Sequence, residues 1–404
     1  MEFYTYTLPN GIKCIHRHTT SHVTHCALII GSGTRDESIG EYGIAHFAEH
    51  GLFKGTKKRR AYHVNCRLEN LGGEFNAYTT KEETTIHATT LKGDFAKAVE
   101  LIADVAFNSQ FPDHEIDRER KVIYDEINSY KDSPSELIFD EFEDLLFEGS
   151  ELGHNILGVK KDIKKIGSKE LIDFVKRAYT TDQMVFSSIG GVSAKRAEEL
   201  AMRYFGSFES TSRAGDRILP KLTEPFNITR SKRTYQRHCI MGCRTFGFND
   251  DRRVPLTLLI NILGGANANS LLNVLVREKH GLTYNIEASY LPFSDCGVVT
   301  IYYSSENDCA TKVEELIMQE IERLRTTLLT PRQLSMAKRQ FIAQLTISME
   351  SNEGYMLGVG KGLLVHGCVD TIQQSHRRIE AITAEQIRDV AADVLQNLSI
   401  LTYR

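Results

Sequence analysis

One pentapeptide limits the fold of this chain more than anything else in it: His46-Phe47-Ala48-Glu49-His50. On a helix, side chains four residues apart leave the same face one turn apart, so His46 and His50 offer two imidazoles to a single point. That spacing suits one zinc ion, which takes histidine nitrogens at about 2.0–2.1 Å. Glu49, three after the first histidine and one before the second, leans toward the same point without being forced to ligate. A carboxylate so placed can take the proton of a water that the metal has activated, the chemistry of attack on a carbonyl near neutral pH. An exposed helix with two histidines and a solvated glutamate is spelled the same way. The company argues against it: Gly43-Ile44-Ala45 before the segment and Gly51-Leu52-Phe53 after it are apolar enough to bury it or set it in a cleft.

Such a site needs a third protein ligand, so the fold has to carry another donor to the pentapeptide. A candidate lies at residues 117–127, where Glu119 and Glu126 are seven apart, two helical turns, and share a face. Ile116, Ile123 and Ile127 mark the apolar stripe beside them. Taken alone, two carboxylates among Arg118, Arg120 and Lys121 equally describe a salt-bridged surface helix.

The pentapeptide reverses the common zincin order and is the inverzincin signature. With the helix at 117–127 it resembles the pitrilysin/insulinase family of zinc peptidases, specifically the short-chain branch of the mitochondrial processing peptidase beta subunit and its bacterial homologues. That family pairs the motif with a Glu about 76 positions after the second His, which is Glu126 here, and with a second Glu seven earlier, Glu119. The resemblance implies one Zn2+ per chain held by His46, His50 and Glu126, with Glu49 as general base. It implies also that Glu119 orients a ligand and tunes the site.

Length and charge set the frame. The chain has 404 residues, more than one typical domain, with 41% hydrophobic and 25% charged residues, as in a globular protein with ample core. A net charge of −4 gives no basic field for nucleic acid, and no apolar run approaches the length of a membrane span. Residues 1–7 lack the basic and apolar regions of a signal peptide. Eight scattered cysteines without a C-x-x-C pair read as reduced, mostly buried thiols, and a cytoplasmic location is expected. Cys239 and Cys243, the closest two, fall on an expected strand as core residues.

Along the chain, strands are expected within 3–18 about the turn Leu8-Pro9-Asn10-Gly11, and at 23–30. Helices follow at 43–53 and 61–71, separated by a basic loop (54–60) that reads as solvated rather than as a phosphate patch. Residues 75–90, rich in Thr and Tyr, alternate as one strand. By the resemblance, Asn76 and Ala77 there stand on an edge where peptide substrates lie, since an edge strand binds any extended backbone; on pattern alone an interior strand serves as well. Helices at 94–108, from Pro112, from Ser133, at 168–179 and at 194–205, with a strand at 184–191, complete the first half.

Polar, irregular residues 207–235 are read as a linker, after which the order restarts: strand 236–248, helices 254–263 and 269–279, strands near 283–305, helix 308–325, two long helices from Pro331 and near 351–366, helix 383–395 and a last strand at 398–403. The expected fold is α+β, an α/β sandwich: a zinc-binding catalytic domain (1–206) and a homologous domain without metal (236–404). Each is a largely antiparallel sheet packed against helices, together half of a clamshell. By the resemblance, Arg277 and Tyr284 on the second domain hold substrate over a zinc cleft and stabilise the developing oxyanion; read without it, they are a helix-surface charge and a core aromatic. A chain with half the family's full set of domains is expected to form a homodimer, each chain lending Arg277 and Tyr284 to its partner in trans. The expectation is a zinc metalloendopeptidase acting on oligopeptides or unfolded polypeptides in an enclosed dimeric chamber. The rival is a peptide-binding or processing subunit acting only with a different partner chain. Neither nucleic acid nor membrane is an expected partner.

Overall fold

The computed structural model describes residues 2–404. In chain order the first half forms β1 (Tyr4–Thr7), β2 (Lys13–His18), β3 (Val23–Ile30), α1 (Ile44–Leu52), α2 (Ala61–Glu69), β4 (Glu74–Thr79), β5 (Thr84–Leu91), α3 (Phe95–Asn108), α4 (Asp113–Lys131), α5 (Pro134–Leu146), α6 (Lys160–Ile163), α7 (Ser168–Ala178), β6 (Met184–Gly190) and α8 (Ala194–Phe205). The second half forms β7 (Asn227–Arg230), β8 (Arg237–Thr245), α9 (Arg253–Gly264), a π-helical stretch (Asn273–Lys279), β9 (Asn285–Pro292), β10 (Gly297–Ser305), α10 (Ala310–Thr326), α11 (Pro331–Ser348), α12 (Asn352–His366), α13 (Ile372–Ala381), α14 (Ala384–Val394) and β11 (Ser399–Tyr403).

The two sheets share one topology. The first runs β1-β2-β6-β3-β5-β4 and the second β7-β11-β8-β10-β9. In each, the first strand of the repeat pairs parallel with the last, β2 with β6 and β7 with β11; the remaining pairs are antiparallel. Setting β1 aside, the two strand orders correspond one to one. The repeat read from the restart of pattern is thus a repeat of fold, two α+β sandwiches.

The division of the chain is less simple than a cut at 207–235. One compact unit takes the described chain to Ser129, His154–Ile218 and Ser348–Val369; the other takes Tyr130–Gly153, Leu219–Ile347 and Asp370–Arg404. Helix α12 therefore belongs with the first sheet and α5 with the second. The reason is the period of two in a strand. In β3, Cys26, Leu28 and Ile30 feed the core shared with α1 and α3, which leaves Ile29 on the opposite face, where α12 covers it: a methyl added at Gly360 would lie 2.4 Å from Ile29 Cδ1. In β8 and β10, Cys239, Met241, Val299 and Ile301 join α9, α10 and α14, while Ile240, Val298 and Tyr302 join α5 through Ile138 and Phe142. Both faces of each sheet are apolar, so each needs a second cover.

Two expectations are corrected. Residues 75–90 are a hairpin, β4 and β5, with Glu74 opposite Thr89 and Thr79 opposite Thr84. Residues 207–235 are not all irregular, because β7 pairs Asn227 to Ile400 and Arg230 to Tyr403; its polar, half-exposed sequence is that of an edge strand. No helix among the described residues is long and apolar enough to cross a membrane.

Candidate metal centre

Helix α1 is set in place at its N-terminus before any metal enters the argument. Gly43 holds a left-handed φ of 95°, and a Cβ there would meet the Leu157 carbonyl at 2.7 Å. The backbone N–H groups of Gly43 and Ala45 donate to the Glu37 carboxyl group at 2.9 and 2.8 Å, so a buried acid, raised above the ordinary glutamate value by burial against the pull of His154 and these two N–H groups, caps the positive end of the helix. Every residue from Ile44 to Ala48 is buried; Glu49 and His50 are the first to reach partial exposure.

On that helix His46 and His50 bring their Nε2 atoms to 3.2 Å. Glu126 Oε2 arrives from α4 at 3.7 Å from His46 Nε2 and 3.8 Å from His50 Nε2. The three side chains form a donor group within 4.8 Å of one another. Two nitrogens each about 2.0–2.1 Å from one tetrahedral ion stand roughly 3.3 Å apart, so the imidazoles are spaced as a zinc ion requires. Burial, with the neighbouring His50, pushes the His46 pKa down to about 3, so this ring is neutral and free to ligate. Its Nδ1 is buried without a hydrogen-bond partner, which leaves Nε2 as the polar contact of the ring. The donor set fits zinc.

Glu119 reaches the same site from one face of α4. Its Oε1 lies 2.8 Å from His50 Nδ1 and its Oε2 is 2.5 Å from Lys54 Nζ. With Nδ1–H donated to Glu119, the lone pair of His50 is directed from Nε2 toward His46 and Glu126. Burial alone would lower the His50 pKa, but the Glu119 hydrogen bond and the charges of Glu49, Glu119 and Glu126 together raise it. Glu119 is held below its ordinary value by His50 and Lys54, against the opposing effect of burial. Glu49 goes the other way. Burial pushes it up to about 7, against the pull of His50 and of hydrogen bonds from Thr79 at the end of β4. A carboxyl titrating near neutrality can both accept and return a proton.

Asn76 and Ala77 lie on β4, the outermost strand of the first sheet. Ala77 is buried toward the core that contains α1, while Asn76, on the other face, is exposed; Phe75 packs tilted against Phe53 at the end of α1, ring centroids 5.3 Å apart. In the second unit Arg277 sits on the π-helical stretch and is about half exposed, with Nε 3.7 Å from Glu278. Tyr284 is 86% exposed, not a core aromatic. In the basic loop, Arg59 is taken up by Glu100 and Asp104 at 2.7 and 2.5 Å, while Lys57 and Lys58 stay exposed. The sequence reading missed Lys54, Glu37 and His154. Lys54 carried a signal, being one helical turn past His50; His154 lies in the loop 153–158, which resembles a segment of the family but which was given no role, and Glu37 stood in no motif.

With this geometry in view, comparison with known proteins places the chain. Residues 13–160 match the family model described as insulinase (peptidase family M16), and residues 165–341 match the one described as the peptidase M16 inactive domain. The chain belongs to peptidase family M16. Among its relatives are an uncharacterized zinc protease of Bacillus subtilis, 29% identical over 96% of this chain and 94% of the relative. Another is the mitochondrial-processing peptidase subunit beta of Bos taurus, 28% identical over 97% and 82%. A protease from Helicobacter pylori has the same fold, with a TM-score of 0.92 at 20% identity over 100% of this chain and 99% of that one.

Proposed function

We propose that this chain is a zinc-dependent endopeptidase of extended or unfolded peptides. One observation carries the reading: His46, His50 and Glu126 converge as a zinc donor set, with Glu49 beside them poised to about 7. The zinc-protease and processing-peptidase names of its relatives support it. His46, His50 and Glu126 would hold the ion, one per chain. When bound, zinc supplies a Lewis acid that polarises a carbonyl and activates water. Glu49 takes the proton of the attacking water and returns it to the leaving amine. Glu119, steadied by Lys54, keeps His50 in the tautomer and orientation that ligation needs. The substrate adds as a strand along β4, where backbone groups bind without regard to side chains. Arg277 and Tyr284 hold it and stabilise charge on the carbonyl oxygen, supplied in a homodimer by the partner chain around an enclosed chamber. The eight free thiols fit the reducing cytoplasm.

The test pairs metal content with cleavage of a quenched fluorescent peptide, wild type against Glu49→Gln. About one zinc per chain in both, with turnover reduced at least roughly 10³-fold in the variant, is the expected outcome. Substantial activity in Glu49→Gln sinks the assignment of the base. Zinc in both with cleavage in neither points to a subunit awaiting a different chain, a reading that the bovine relative's printed name, a beta subunit, supports.

A further inference from the structure

The loop Gly153-His154-Asn155-Ile156-Leu157-Gly158 has no part in the chemistry above, yet it touches both halves of the site. His154 Nε2 lies 2.8 Å from Oε2 of Glu37, the carboxylate that caps α1, and the Glu37 side chain has no exposed surface. The His154 ring is stacked on Tyr42, centroids 4.1 Å apart and planes at 17°, and Tyr42 directly precedes the glycine that starts the helix. The backbone carbonyl of His154 accepts from Lys81 Nζ at 2.5 Å. Lys81 is itself 5% exposed and sits in the turn joining β4 to β5. One residue is therefore tied by its side chain to the metal helix and by its main chain to the hairpin whose outer strand is the proposed substrate edge.

We infer that His154 is a positioning residue that fixes the metal helix and the β4 edge against each other. This rests on the peptidase reading for its kinetic part alone. The donor to Glu37 is the only part of the imidazole that a phenyl ring lacks at this contact, since phenylalanine keeps the stacking face for Tyr42. Removing it leaves a buried carboxylate short of one partner and frees the first turn of α1, which carries His46. The carbonyl tie is independent of the side chain, so the two halves of the junction have separable consequences. The side-chain tie governs how well the donors are held for the metal and for Glu49. The Lys81 tie governs where the substrate strand lies.

The experiment measures zinc affinity by chelator competition, with kcat and KM on a peptide, for wild type, His154→Phe, His154→Gln and Lys81→Met. His154→Phe is expected to weaken zinc binding at least roughly 10-fold, as loss of a ligand-orienting partner does, and to lower kcat with KM little changed. His154→Gln, whose amide N–H reaches for Glu37, restores most of both. Lys81→Met raises KM and leaves zinc affinity at the wild-type value. A His154→Phe protein that melts lower but binds zinc as wild type overturns the inference, as does a zinc deficit that Gln does not mend. If His154→Phe does not fold, His154→Asn, whose shorter amide falls short of Glu37, takes its place, and an unchanged zinc affinity there overturns it equally. Should wild type bind zinc yet cleave nothing, the proposed function fails while the affinity comparison still judges the tether.

Discussion

Lys54, Glu119 and His50 form a relay of charge in which each member fixes the next: the ammonium holds one carboxylate oxygen, and the other oxygen holds Nδ1. Its consequence is a proton. His50 in the metal-free protein keeps its proton to higher pH than an ordinary histidine, and zinc takes only the deprotonated nitrogen. Zinc affinity therefore declines as pH falls through this raised value, and zinc uptake near neutrality releases protons. His46, pushed down to about 3, adds nothing to that release at pH 7. Calorimetry in two buffers of different ionisation enthalpy reads the protons directly. Glu119→Gln, which removes the strongest of the groups raising His50, is expected to cut the release and move the decline to lower pH; an unchanged pH dependence shows that Glu119 does not set it. At this scale His46, His50 and Glu49 were legible because local spacing on a helix decides which side chains share a face; the same spacing put Glu119 and Glu126 on one face, but only the family resemblance tied them to the site. Glu37 and His154 were not. Their pairing joins positions 37 and 154 through tertiary structure alone, and no local period records that.

Among the elements, α1, α3, α8, β3 and β6 lie within a residue or two of where apolar periodicity put them. The hairpin at 74–91 was missed because its turn, Thr80-Lys81-Glu82-Glu83, contains none of the usual glycine, proline or asparagine. The turn is closed by the Thr80 N–H donating to the Glu83 carbonyl at 2.8 Å and by a side chain: the Thr80 hydroxyl accepts from the N–H groups of Glu82 and Glu83 at 3.3 and 3.1 Å. Helix α13 was also missed, although Thr371 and Gln374 spell a capping box that the structure uses. Helix α12 shows what composition conceals. Its glycines look like helix breakers, but Gly360 is where the helix meets the sheet, with Ser187 Cβ 2.9 Å from any added Cβ. Ser187 also donates to the Met356 carbonyl at 2.8 Å. Gly360→Val is expected to lift α12 from β3 and β6 and cost about 1–3 kcal/mol, read as a shift in urea midpoint without a change in slope. A midpoint at the wild-type value means that the helix is not seated there as described.

At the scale of the whole molecule, the proposed homodimer makes a sharp forecast. A chain with Glu49→Gln keeps Arg277 and Tyr284; a chain with Tyr284→Ala keeps the zinc donors and Glu49. If the pair acts in trans, mixing the two inactive proteins under conditions of subunit exchange regenerates about a quarter of wild-type activity by random pairing. No recovery, with exchange verified by a tag, rejects the trans arrangement. The exchange of helices between the two halves has a consequence of another kind, in time. The zinc donors are made early, but the sheet beside them has one bare apolar face until Val369 has been added, roughly 8 to 30 seconds after Ile218 at about 5–20 residues per second. For that interval the nascent chain on a ribosome carries a complete set of metal-binding side chains on a domain that cannot yet close, a span in which a chaperone has a face to hold and a protease has a target.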